Sequence, residues 1–295
     1  MNKIKPHTPR FSFPPEGGLR GASEVCPIGI FDSGYGGLTI LNEITKRLPQ
    51  YDYLYLGDNA RTPYGSHSFE VVYRYTLECV HYLFDMNCRL VILACNTASA
   101  KALRTIQQND LPRIDPSRRV LGVIRPTAEI IGSRTKTRHV GLVGTAGTVQ
   151  SQSYQIEINK FFPDITVTAE ACPMWVPLVE NNEYDTEGAD YFVKKHLDNL
   201  LTADPDIDML ILGCTHYPLL LKKIVTYLPE KVKPIVQSTI VADSLADYLQ
   251  RHPDMERQCT KEGACRFLTT ESPEKFADFA SIFIGKQVQA EHIQL

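Results

Sequence analysis

The segment Arg89-Leu90-Val91-Ile92-Leu93-Ala94-Cys95-Asn96-Thr97-Ala98-Ser99-Ala100 has a counterpart in Asp208-Met209-Leu210-Ile211-Leu212-Gly213-Cys214-Thr215-His216-Tyr217-Pro218. In each, an apolar run of strand length stops at a cysteine, and small or polar residues lead into a helix-like pattern. Each thiol therefore stands at the carboxyl end of a strand. In an open α/β sheet this is where ligands bind, in a crevice faced by helix amino termini with free N–H groups. Positive dipole ends beside a thiol lower its pKa and enlarge its thiolate fraction. A single cysteine at such a place reads as a small buried apolar residue. The recurrence of strand, cysteine and polar turn reads instead as a matched pair of bases.

Outward from these segments the chain alternates strand and helix. Pro27 to Phe31 is a strand ending in Asp32-Ser33-Gly34-Tyr35-Gly36-Gly37, and Leu38, Leu41, Ile44 and Leu48 mark one face of a helix that Pro49 stops. Tyr53 to Leu56 is a second strand, ending in the loop Gly57-Asp58-Asn59-Ala60-Arg61-Thr62-Pro63-Tyr64-Gly65; a helix from Phe69 to Phe84 precedes the Cys95 strand. The pattern restarts with a strand at Val120 to Ile124 and a helix opened by Pro126. His139 to Val143 then ends in Gly144-Thr145-Ala146-Gly147-Thr148, which repeats the form of Ile28 to Gly37. Strands at Thr166 to Glu170, Asp208 to Leu212 and Arg266 to Thr270 follow, with a helix at Thr239 to Gln250 and a capped helix start at Ser272-Pro273-Glu274.

The expected fold is α/β: two similar parallel-sheet domains related by approximate twofold pseudo-symmetry, with the active site in the cleft between them. That arrangement would set the two thiols on opposite sides of one ligand. The expected limits are a leader over residues 1–25, a first domain over 26–118 plus 238–295, and a second over 119–237. The last segment is assigned to the first half because that half otherwise has too few strands for an ordinary sheet.

Composition narrows the function classes. The net charge of −3 over 295 residues supplies no basic surface for nucleic acid. No apolar run approaches the roughly 20 residues that span a bilayer. The leader has no apolar core; Pro6, Pro9, Pro14, Pro15, Gly17, Gly18 and Gly21 break it, so it reads as flexible and the address as cytoplasmic. Cys26, Cys79, Cys88, Cys95, Cys172, Cys214, Cys259 and Cys265 form no CxxC pair and no zinc spacing, which fits reduced thiols and no metal. Gly34-x-Gly36-Gly37 has the wrong final spacing for a dinucleotide loop, so no nicotinamide cofactor is expected and the glycines would let backbone N–H groups approach a carboxylate.

Asp32 and Ser33 offer a carboxylate and a hydroxyl at the first strand end. Asn96, Thr97, Thr145 and Thr215 are small donors at strand ends or helix starts, suited to a substrate's charged groups, though each alone fits a helix cap. Tyr64 and Gly65 add a phenol and an unhindered backbone. His216, two residues past Cys214, can orient that thiol or stay protonated beside it, and Glu180 sits in apolar company where a raised pKa or a salt link is expected.

The motifs Phe31 to Thr39, Asp58 to Gly65, Ala94 to Ala100, Val143 to Thr148 and Leu212 to Leu220 together resemble the glutamate racemase family, in order from about Ile28 to Ser244. The resemblance implies cofactor-independent interconversion of L- and D-glutamate, supplying D-glutamate for peptidoglycan, by a homodimeric enzyme. By position, Cys95 and Cys214 would exchange the α-proton. Asp32, Glu180 and His216 match residues that assist the thiols, and Ser33, Tyr64, Gly65, Asn96, Thr97 and Thr215 match substrate contacts. Val241-Ala242-Asp243-Ser244 stands where the family tends to have Val-Asp-Ser, and the tail after His252 departs from the pattern. Rival readings are an aspartate or hydantoin racemase, a dithiol redox enzyme, and a dicarboxylate-binding protein without catalysis.

Overall fold

The computed structural model describes residues 26–285 and 287–295; the sequence reading of the leader lies outside them. Among the described residues, ten strands form two sheets, every pair parallel. The first six-stranded sheet contains β1 (Ile28–Asp32), β2 (Tyr53–Gly57), β3 (Leu90–Leu93), β4 (Arg119–Gly122), β9 (Cys265–Thr269) and β10 (Ala290–His292) in the order β10-β9-β2-β1-β3-β4. The second contains β5 (His139–Gly144), β6 (Thr166–Ala171), β7 (Met209–Gly213) and β8 (Lys233–Ile235) in the order β6-β5-β7-β8.

The order β2-β1-β3-β4 and the order β6-β5-β7-β8 are the same arrangement, so the chain builds one four-stranded unit twice and extends the first copy with β9 and β10. Cys95 follows β3 and Cys214 follows β7, the corresponding strands of the two copies. In both copies strand order reverses direction next to that strand, at the switch point where doubly wound sheets bind ligands.

This pairing corrects one sequence expectation. The strand placed at Val120 to Ile124 does not open the second half: Arg119–Gly122 pairs with β3 and closes the edge of the first sheet. Chain order alone misled, because a strand before a connecting helix can belong to either side of it. The helix that follows, Ile124–Arg134, crosses to the second sheet. The three-residue strands β8 and β10 were not read from the sequence; β8 contains Lys233 and Pro234, which suit an edge and carry no alternation.

Helices cover the sheets where their apolar stripes require. Leu38–Arg47 buries Leu38, Ile40, Leu41 and Ile44. Phe69–Asp85 starts at Ser68, whose hydroxyl accepts from the Val71 N–H, and Pro273–Ile284 starts at Ser272, which accepts from Lys275 N–H. One buried cluster runs from Ile30 and Tyr55 of the first sheet to Trp175, Leu197 and Leu210 of the second unit, so the two copies share apolar packing.

Candidate active site

The first strand end is held by its own glycines. Asp32, the last residue of β1, accepts hydrogen bonds at Oδ2 from Gly34 N–H at 3.2 Å and Gly37 N–H at 2.8 Å. The carboxylate that these N–H groups approach is therefore the chain's own. Burial pushes the Asp32 carboxyl above the usual carboxylate range, against the opposing pull of His216 and of these N–H groups. Its Oδ1 has no partner among the described residues. Gly36 has a second reason to lack a side chain: a Cβ there would lie 2.5 Å from Thr215 Oγ1 and 2.6 Å from His216 Nδ1. The β1 loop of one unit thus presses directly on the Cys214 loop of the other.

The two thiols line one cavity of about 90 Å³ between the units, together with Ser33, Gly65, Thr97 and Thr145. Cys95 caps the helix Asn96–Lys101; its sulfur accepts from Ala98 N–H at 3.4 Å and lies 3.1 Å from Ser33 Oγ. Despite that position its pKa is not lowered. Burial, and then the charge of Asp32, push the Cys95 thiol up to about 12, outweighing the Ser33 and Ala98 hydrogen bonds. The helix-terminus argument from sequence omitted both opposing causes.

Cys214 stands in another environment. Its sulfur is 3.7 Å from His216 Nδ1, and His216 Nε2 is 3.1 Å from Glu180 Oε1. Thr62 donates its hydroxyl to the same Glu180 oxygen at 3.2 Å. Burial alone would discharge the imidazole, but its hydrogen bonds to Cys214 and Glu180 prevail and push His216 up to about 10. Phe283 from the last helix lies edge-on to the imidazole, with ring centroids 5.7 Å apart. Glu180 and Asp32 stand behind the cavity wall, Glu180 bonded to the lining residue His216 and Asp32 acting by its charge on the lining residue Cys95.

The remaining sequence candidates divide by what occupies their polar atoms. Thr97 Oγ1 is 2.9 Å from Thr145 Oγ1, which is 3.1 Å from Thr148 Oγ1, a hydroxyl chain between the units. Gly65 lies against Thr145, whose Cβ would be 2.7 Å from an added Cβ. The Tyr64 hydroxyl is not available as the sequence reading had it: it donates to Asp58, which is also bound by Arg61 Nε at 2.6 Å and Thr270 Oγ1 at 2.9 Å. The Tyr64 ring still lines the cavity. Asn96 is tied to Tyr154 and to Gln237, residues the sequence reading passed over.

Thr62, Thr148 and Cys172 were also missed; Cys172 follows β6 as Cys95 follows β3, a signal of strand-end placement visible in the pattern. Val241-Ala242-Asp243-Ser244 falls in the middle of the helix Gln237–Arg251, where Asp243 pairs with Arg47 at the surface. The strand-end residues at that point of the fold are Val236, Gln237 and Ser238, after β8. Among the described residues, His139, Asp204 and Asp206 are close enough to share a cation, at the amino end of β5 rather than in the cavity. No helix among them is long and apolar enough to cross a membrane.

Paired thiols at matching strand ends of a duplicated α/β unit define a class of enzyme that works on both faces of a small substrate. The Asp/Glu/Hydantoin racemase family model matches residues 38–246, and the chain belongs to that family. Within it the similarity is to glutamate racemases. That of Geobacter metallireducens is 40% identical over 259 residues, covering 88% of this chain and 92% of the relative. The crystal structure of a glutamate racemase isoform from Bacillus anthracis superposes with a TM-score of 0.83 at 35% identity, over 92% of this chain and 99% of that one. The Francisella tularensis glutamate racemase in complex with D-glutamate gives 0.80 at 32% identity, over 92% and 98%.

Proposed function

We propose that this chain interconverts L- and D-glutamate without a cofactor, Cys95 and Cys214 acting on opposite faces of Cα. The observation that carries the reading is the placement of both sulfurs, each from its own copy of the repeated unit, in the wall of one cavity. An α-proton beside a carboxylate is a poor acid, so the site must supply an aligned base and fixed donors for the developing carbanion, and exclude water.

The opposed surroundings of the thiols suit the two parts. A positive imidazolium 3.7 Å from the Cys214 sulfur is a counter-ion for a thiolate there. Cys95, held as a thiol by burial and Asp32, has a proton to give. In one turnover the Cys214 thiolate takes the proton from Cα and the Cys95 thiol delivers another to the far face; Cys214 ends as thiol and Cys95 as thiolate. The reverse reaction starts from that state. Asn96, Thr97, Thr145 and Thr215, which line the cavity, would donate to the carboxylates.

The physiological reading is supply of D-glutamate for peptidoglycan by a cytoplasmic homodimer, an assembly that light scattering on purified protein tests. The chemistry is tested by incubating L- or D-glutamate with the protein in deuterium oxide. Loss of optical activity with solvent deuterium at Cα of the product is expected. Unchanged optical activity overturns the proposal and leaves the redox or binding-only readings; racemisation without deuterium overturns the two-thiol proton transfer. Aspartate in parallel separates glutamate from aspartate racemisation.

A further inference from the structure

Asn96 follows Cys95 directly and lines the cavity, and its carboxamide is held by residues outside the cavity wall. Asn96 Nδ2 donates to Gln237 Oε1 at 2.9 Å, Gln237 Nε2 donates to Tyr154 Oη at 2.7 Å, and Tyr154 Oη donates to Asn96 Oδ1 at 2.6 Å. The three side chains close a ring of hydrogen bonds, all of them buried. Gln237 Nε2 also faces Val123 O at 3.2 Å and Thr127 Oγ1 at 2.9 Å.

The ring has one possible direction. The Val123 carbonyl can only accept, so the Gln237 nitrogen must face it. Its oxygen then faces Asn96, which must answer with its nitrogen, and the Asn96 oxygen is left for the Tyr154 hydroxyl. Turning either amide would oppose two acceptors inside a buried network, at the full cost of unmade hydrogen bonds. One backbone carbonyl thereby fixes how a cavity residue presents its amide. Asn96 retains one amide hydrogen with no acceptor among the described residues.

The ring also joins separate parts of the chain. Asn96 belongs to the first unit, Tyr154 to the helix Ser153–Phe161 of the second, Val123 and Thr127 to the outgoing connection, and Gln237 to the return connection. We infer that Gln237 is a positioning residue for the racemase reaction: through the ring with Tyr154 it aims the free amide hydrogen of Asn96 at the substrate and locks that aim to the alignment of the two units. This rests on the proposed function, and it assigns a part to a residue that touches no substrate.

Gln237→Met keeps the length of the side chain and removes both polar ends; Tyr154→Phe removes a single oxygen and keeps the packing, should the first variant fail to fold. Kinetics in both directions should show KM raised about tenfold in Gln237→Met, the scale of one lost oriented hydrogen bond, with kcat changed far less. Tyr154→Phe should move KM in the same direction. In the background of Asn96→Ala, Gln237→Met should add almost nothing to KM, because both act through one amide. Additive effects, or variants that lower the melting temperature while leaving KM at its wild-type value, overturn the inference while leaving the racemase reading intact. A wild-type protein that leaves glutamate unchanged overturns that reading, and the inference with it.

Discussion

Both active-site cysteines are buried, and their polar neighbours differ. Asp32 adds to burial in pushing Cys95 up to about 12, whereas the hydrogen bonds of His216 to Cys214 and Glu180 push the imidazole up to about 10. One sulfur is therefore set as proton donor and the other is given a cation. Cys95→Ala and Cys214→Ala should each lower racemisation in both directions by at least the roughly 10²–10⁴-fold expected of a positioned acid or base, with circular dichroism spectra unchanged. Near-normal turnover in either variant would falsify the two-base assignment. His216 carries a pH prediction with a definite sign. Its pKa in the folded protein lies above the ordinary histidine value of 6.5, so the folded state holds the proton more tightly. The associated stability is complete below about pH 6.5 and is lost as pH rises toward about 10. His216→Asn should flatten the alkaline loss of stability between these limits in urea titrations, and should remove the matching alkaline limb of the rate profile. A variant with the wild-type alkaline limb would assign that limb to another group.

At the level of elements, strand ends and close backbone contacts place these residues. The long apolar runs ending at Cys95 and Cys214 made β3 and β7 readable, because a strand buried on both faces leaves a continuous apolar signature. The sheet membership of β4 was not readable: Arg119–Gly122 has only Val120 fully buried, and nothing local says which sheet it joins. The glycines of the β1 loop were readable as a feature, but the contact of Gly36 with Thr215 and His216, more than 170 positions away, was not. Gly36→Ala tests that contact. With 2.5 Å to Thr215 Oγ1 and 2.6 Å to His216 Nδ1, the added methyl must displace the Cys214 loop, costing about 1–3 kcal/mol in thermal melts together with a large loss of turnover. Gly188→Ala is the opposite case. It lies in the first turn of Glu187–Ala203 with its nearest contact at 3.6 Å, so alanine should stabilise by about 0.4–1 kcal/mol and leave turnover alone. Equal effects of the two substitutions would remove the steric argument.

For the molecule as a whole, the duplicated unit explains how much of the site the sequence disclosed. Residues at corresponding strand ends, such as Ser33 and Thr145 or Cys95 and Cys214, announce one another by repetition. Gln237 and Thr62 have no such echo; their roles arise from packing between distant segments, with Gln237 bonded to Asn96 across 141 positions and Thr62 to Glu180 across 118. The tail shows the same limit. After β9 extends the first sheet, the helix Pro273–Ile284 folds over the junction: Phe279 stacks on Tyr35 of the glycine loop at 4.5 Å, and Phe283 meets the His216 ring at 90°. A C-terminal segment that departs from the family's pattern thus forms the outer wall of the histidine site, excluding water from the His216–Glu180 pair and keeping its hydrogen bonds strong. Phe283→Ala should cost about 3–5 kcal/mol of stability as a large-to-small core change. It should also admit water to the pair and bring His216 down from about 10, moving the alkaline limb of activity to lower pH. Melting curves and pH–rate profiles of the same variant separate the two effects. A lower melting temperature with an unmoved limb would mean that Phe283 only packs, whereas a shift of both would tie the last helix of the chain to the charge state beside Cys214.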